Sequence, residues 1–392
     1  MTYIKQRLED TDWQILVFKT VLFIWVVSLP FKNAVYQISF VMLDLFFITH
    51  LLCTQNFGII KDILYKTRFL GLAFAGILLS MVISNLLNPD FIGKKAWETS
   101  FLFVFRYGMI FIALAYFYML DFFNQKEIKY AIIAGPILLA TTAIIYIIQN
   151  PNILFTINLH LTGSLNSRTM FGLFMGIGFI CSFIFIKNSI LKWILSISFI
   201  FLVIFSFARS SWVASAVAIF IFFILNIKTI TKKDIVMIIV FGIFLLLLYF
   251  SFTSFQERFE KLISMNSTHR IDMWLWSIDI IKQHVFFGYG LGNFLQLPNN
   301  YFAQHHIAGF SHNIFIDILL STGIFGMFFY IQSIFLTLIK ALKNNNIAIF
   351  SILIYMIVVS QFDFGAYEQK EFLSFIVIFT FLAYCDDFKE QN

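Results

Sequence analysis

The stretch Phe69-Leu70-Gly71-Leu72-Ala73-Phe74-Ala75-Gly76-Ile77-Leu78-Leu79-Ser80-Met81-Val82-Ile83-Ser84-Asn85-Leu86-Leu87 lies between Arg68 and Asp90 and carries no charge. It matches the ~20 apolar residues with which a helix crosses a bilayer core about 30 Å thick. Working outward from it, similar runs recur along the chain, bounded by charges, Pro and Asn. Read this way, the sequence predicts about twelve transmembrane helices. They lie near 14–31, 34–52, 69–87, 100–120, 129–149, 168–186, 190–208, 212–227, 234–252, 312–339, 346–362 and 371–386. Composition agrees. The chain has 392 residues, 60% hydrophobic and 12% charged, where a soluble domain carries roughly 25% charged residues. The expected fold is an all-α polytopic membrane protein: a single transmembrane domain over 1–392 with one large loop at 253–311 containing interfacial helices. No repeat at a 20–50-residue period and no low-complexity tail interrupts it.

Orientation follows from where the cations fall. Lys5 and Arg7 precede the first run, which is long and lacks a small-x-small cleavage site, so it reads as a retained span. With the N-terminus inside, fifteen Lys and Arg lie in inner segments. Six lie in short outer loops: Lys32, Lys94, Lys95, Arg168, Arg209 and Lys370. The positive-inside rule then predicts cytoplasmic termini and an external loop at 253–311. The net charge of +6 is topological, and no basic face is interleaved with exposed aromatics, so nucleic acid is not expected as a partner. Cys53, Cys181 and Cys385 form no CxxC or Cys/His cluster, which indicates neither a disulfide framework nor zinc.

Three residues with chemistry face the same predicted compartment. Arg209, in Ser206-Phe207-Ala208-Arg209-Ser210-Ser211-Trp212, sits between two apolar runs, where an arginine is costly unless it faces a polar cavity or an anion. Arg270 opens a predicted surface helix in which Ile271, Trp274, Ile278, Ile281 and Val285 share one face. A guanidinium at a helix N-terminus favours phosphate. His312, followed by Asn313, stands at the mouth of the loop, and a neutral imidazole can take a proton from a hydroxyl near pH 7. His305 and His306 extend it to three histidines in loop spacing, without the carboxylate cluster that would make a metal site. Arg106 lies inside the fourth span, either as a functional group or snorkelling to the surface. Arg168, Asn166 and His160 are further external candidates. Gly288-Tyr289-Gly290-Leu291-Gly292 follows a helix and not a strand, so it is a tight turn needing positive φ and not a dinucleotide fingerprint.

With these motifs quoted, the chain resembles the O-antigen ligase/polymerase family of bacterial membrane glycosyltransferases. The resemblance rests on Phe207-Ala208-Arg209-Ser210, Arg270-Ile271-Asp272-Met273-Trp274, His284 through Phe294, and His312-Asn313 followed by Gly323-Ile324-Phe325-Gly326. Ala208 stands where many members have Ser, and Ser321 where many have an acidic residue. The resemblance implies a metal-independent, cofactor-free transferase of the bacterial inner membrane with a periplasmic active site. Its donor would be a glycan on undecaprenyl pyrophosphate, and its acceptor lipid A-core or, for a polymerase, another glycan. By position, Arg209 and Arg270 would bind the pyrophosphate and His312 would act at the acceptor hydroxyl, with Arg106, Arg168, Asn313 and His306 as secondary candidates. A polysaccharide transporter or flippase is the alternative of a different class, recognisable by polar residues and broken helices near the midplane.

Overall fold

The computed structural model describes residues 2–31, 34–150, 161–165, 167–229, 270–297, 310–365 and 369–389, with scattered positions between 236 and 260 and at 302 and 367. Among the described residues the chain is helical, without strands. The helices are α1 (Thr2–Ser28), α2 (Ala34–Thr54), α3 (Phe57–Lys66), α4 (Arg68–Leu87), α5 (Ala96–Phe103), α6 (Ile110–Met119), α7 (Gln125–Gln149) and α8 (Arg168–Phe185). They continue with α9 (Ser189–Phe205), α10 (Arg209–Leu225), α11 (Arg270–Ile281), α12 (Ile314–Lys343), α13 (Ile347–Asp363) and α14 (Lys370–Lys389). A π-helical stretch, Val104–Met109, joins α5 to α6.

Among the described residues, seven segments are long and apolar enough to cross a membrane: most of α1, α2, α4, α5 through α6, α7, α8 and α12. α9, α10 and α13 are apolar but shorter, and α14 carries Lys370, Glu371, Asp386, Asp387 and Lys389 at its ends. The protein is therefore a multi-pass α-helical membrane protein. The count of twelve is not reproduced, because several helices are too short or too charged at their ends; the expected span at 234–252 lies largely outside the described residues. Large side chains such as Leu72 and Phe101 are more than half exposed, as befits surfaces solvated by hydrocarbon.

α12 is not one continuous helix. It breaks at Gly323, with φ 63° and ψ −164°, where the Leu320 and Ser321 carbonyls lose their helical partners. The Tyr289 and Gly290 amides supply replacements at 2.7 and 2.9 Å, and the Val285 carbonyl accepts from Ile324 N at 2.8 Å. The glycine turn expected from sequence is present, with positive φ at Gly288, Gly290 and Gly292. It is packed into the bundle and is not a free external loop. Asn85 Oδ1 accepts from Leu291 N at 2.9 Å, and Asn88 Nδ2 donates to Gly288 O at 3.0 Å. Non-helical backbone at membrane depth survives only where protein satisfies its polar groups, and these contacts do so.

The end of the bundle opposite the start of α12 is knitted by lysines and aspartates. Lys340 pairs with Asp387, Lys389 with Asp121 at 2.5 Å, and Lys66 donates to the Asp387 carbonyl at 2.7 Å.

Candidate functional site

Ser311-His312-Asn313 forms the entry to α12. Asn313 caps the helix, its Oδ1 accepting from Phe315 N at 3.0 Å and Ile316 N at 3.2 Å. A short polar side chain before an apolar run is what sequence reading expects of such a cap. His312 takes φ 55°, a left-handed conformation uncommon for a non-glycine residue, and its half-buried ring lies 4.2 Å from that of Phe310. The cap therefore fixes the backbone that presents the imidazole.

Two neighbours hold this turn. Trp274 Nε1 donates to Ser311 O at 2.9 Å, and Trp274 stands one helical turn after Arg270, the first residue of α11. Asn313 Nδ2 donates to Gln361 O at 3.2 Å, which ties the turn to the end of α13. α11 buries Met273, Ser277, Ile280 and Ile281 while Ile271 and Ile278 are exposed. The apolar face read from sequence is thus largely the outward one; of its residues Ile281 is buried.

Arg209 reaches the same end by another route. Ser206 Oγ accepts from Ala208 N at 3.2 Å, and Phe207 takes φ 52°, which turns the chain into α10 with Arg209 as its first residue. Gly172 of α8 packs directly against this turn: a Cβ there would lie 2.7 Å from Ala208 Cβ and 2.8 Å from Ser211 Oγ. Arg168, the first residue of α8, lies one helical turn before that contact. Tyr355 of α13 donates to Leu173 O at 3.0 Å. From that contact, Gln361 and Arg168 are each about 8–9 Å along their antiparallel helices, at 1.5 Å rise per residue, so they lie at one level.

Arg168, Arg209, Arg270, His312 and Asn313 are thus gathered at one end of the bundle, each half-buried. All three arginines occupy the first position of a helix, where the backbone dipole already supplies roughly half a positive charge. A cation there is unfavourable in isolation. Asp272 and Asp317, in the first turns of α11 and α12, bring carboxylates to the same end.

Arg106 is not part of this group. It sits in the π-helical stretch, only 5% exposed, with its guanidinium 5.3 Å from the centre of the Phe40 ring, so it does not snorkel. Tyr36, Tyr107 and Lys370 each lie within electrostatic reach of both Arg106 and the buried Glu371. His306, with His305, His160 and Asn166, lies outside the described residues. Among the described residues no group of three or more His, Cys, Asp or Glu is placed to hold a metal ion.

Sequence reading missed Trp274 as a tether, Gln361 as an anchor, and the Asn85/Asn88 pair. Only the last had a signal: two amides three residues apart at the end of an apolar run.

A family model described as O-antigen ligase matches residues 193–331. Residues 193–331 are thus similar to the O-antigen ligase family. The matched segment covers about a third of the chain and contains Arg209, Arg270, the glycine turn, His312 and the Gly323 break. Members of this family are membrane glycosyltransferase-like enzymes, and they include both O-antigen ligases and O-antigen polymerases. No curated protein shows a significant match to the chain.

Proposed function

We propose that the protein is an O-antigen ligase-type glycosyltransferase of the bacterial inner membrane, moving a glycan from undecaprenyl pyrophosphate to a lipid A-core hydroxyl at the periplasmic face. The observation that carries this reading is that three helix-initial arginines lie at the same end of the bundle as the capped His312 turn. The O-antigen ligase family match and the lysine-rich opposite end, which the positive-inside rule assigns to the cytoplasm, support it.

The chemistry follows from those groups. The acceptor oxygen attacks the anomeric carbon of the donor sugar as the bond from that carbon to the phosphate oxygen breaks, with inversion. The acceptor's proton passes to the His312 imidazole, which acts as general base. The electron pair of the broken bond leaves with the diphosphate, whose growing charge Arg209 and Arg270 meet with permanently charged, bidentate donors. Arg168 adds to the same field, and Asn313 holds the histidine backbone.

The test is transfer by purified protein from a lipid-diphosphate glycan to lipid A-core, run beside complementation of ligase-null and polymerase-null strains. Growth of the glycan on its lipid carrier without transfer to lipid A-core would reassign the protein as the polymerase. Activity is expected to survive EDTA; loss restored by a divalent ion would bring His305, His306 and His312 back as metal ligands. The transport reading is disfavoured because the Leu320 and Ser321 carbonyls freed at the α12 break are taken up by the glycine turn.

A further inference from the structure

A cavity of about 570 Å³ lies among α2, α3, α4, the α5–α6 segment, α12, α13 and α14. Small-molecule sites span roughly 300–1,000 Å³. Among the described residues no charged side chain lines it. The wall hydroxyls are taken up by their own helices: Thr67 donates to Ile63 O, Ser333 to Tyr330 O, Thr337 to Ser333 O and Ser360 to Ile357 O, at 2.7, 2.8, 2.8 and 2.7 Å. Water finds few partners in such a space, and packed helices seldom leave one empty. Hydrocarbon suits it.

The opening is at the lysine end. Gly71 lines the cavity and is exposed, and a Cβ added there meets nothing within 4 Å. Leu64, half exposed, lines the same side from α3. Gly76 packs on Phe329 and Gly326 on Ser80, so α4 and α12 run antiparallel. That register sets Thr67 level with Leu338, two residues before the Lys340 that pairs with Asp387. From Thr67 to Ile77 the lining climbs about 15 Å along α4, roughly the hydrocarbon depth of one leaflet.

The charge at this mouth is positive. Arg68 follows the cavity-lining Thr67 and is exposed. Its guanidinium lies 5.1 and 4.9 Å from the rings of Tyr65 and Phe69. Among the described residues no carboxylate is within ion-pair distance of it. α3 carries Lys61 and Lys66 against one carboxylate, Asp62. Asp386 and Asp387, at the same end, accept from Gln125 and Lys340. Tyr65, also exposed, is of the type enriched at headgroup depth.

We propose that the cavity holds one acyl chain of an anionic phospholipid from the leaflet at the lysine end, with the headgroup phosphate on Arg68. A guanidinium lying over aromatic rings keeps its planar fork of donors for such a group. The headgroup sits at the opposite end of the bundle from His312, and the assignment does not depend on the glycosyl-transfer reading.

The full-length protein is placed in phosphatidylcholine nanodiscs containing a little phosphatidylglycerol with a diazirine near the end of one acyl chain. The expected result is cross-linking at Met356 and Ile376, inside the cavity, displaced by unlabelled phosphatidylglycerol more readily than by added phosphatidylcholine. Arg68→Gln should weaken that preference roughly fivefold, the contribution of one basic residue toward an anionic lipid surface. Lys126→Gln, on α7 away from the mouth, should leave it unchanged. Gly71→Trp, which covers the opening, should remove the deep cross-links; should it fail to insert, Arg68→Gln still decides. Cross-links confined to the outer surface, equal displacement by phosphatidylcholine, or parental preference in Arg68→Gln would each overturn the assignment. Displacement by a polyprenyl diphosphate at lower concentration than phosphatidylglycerol would also overturn it.

Discussion

Lys340 and Lys343 close α12, Lys66 closes α3 and Lys389 closes α14, so at one end of the bundle cations sit where helix dipoles favour them. At the other end Arg168, Arg209 and Arg270 open their helices, where the dipoles oppose them. The lysines at the first end meet carboxylates of the chain itself, chiefly Asp387 and Asp121. Arg68, which opens α4 at the lysine end, and Lys126, in the first turn of α7, are exceptions there; Arg68 lies about 5 Å from the rings of Tyr65 and Phe69. The contrast separates cations that helix dipoles favour from cations that they oppose. The first kind should govern stability and the second turnover.

That division can be attacked directly. The largest effect is expected from His312→Ala, with transfer falling roughly 10²–10⁴-fold while membrane insertion and thermal melting stay as in the parent. A melting point lowered along with the rate would class the histidine with the structural end. Arg209→Ala should reduce turnover roughly 10²–10³-fold, and Arg209→Lys should recover only part of it, since a point charge lacks the planar fork; full recovery by lysine would mean that only net charge matters. Asp387→Asn should do the reverse, costing about 1–3 kcal/mol of stability with initial rates unchanged. Smallest of all, Lys389→Gln should cost less than about 1 kcal/mol, because the pair with Asp121 is largely exposed. The Asp121 carboxylate holds the Lys389 ammonium above the usual lysine range. Its contribution is therefore present at neutral pH and lost only as pH climbs through that raised value, and melting curves of parent and variant should differ equally at pH about 6 and about 8.

Hydropathy made the membrane class and most helices plain, because each span must satisfy its own backbone and show lipid an apolar surface. Arg209, Arg270 and His312 were equally legible, since charge and imidazole stand out against Phe and Ile. The depth of the glycine turn was not: nothing in Gly288-Tyr289-Gly290 says that it enters the bundle, because its partners Asn85, Asn88 and Ser321 are far away in sequence. The buried face of α11 was not legible for a related reason. Periodicity shows where apolar residues lie, yet beside a membrane both protein and lipid accept them, and Ile271 and Ile278 went to the outer face. Arg106 illustrates the third limit, since burial over Phe40 and near Glu371 depends on three helices meeting.

The Gly323 break also bears on biogenesis. Residues 285–290 precede α12 in the chain, yet they supply the amides and the carbonyl that its interrupted ladder lacks. A newly made α12 entering lipid before that segment has folded back would present bare carbonyls to hydrocarbon. Insertion of the tenth predicted span should thus wait upon maturation of the loop made before it, which makes this end of the bundle the last part of the molecule to settle.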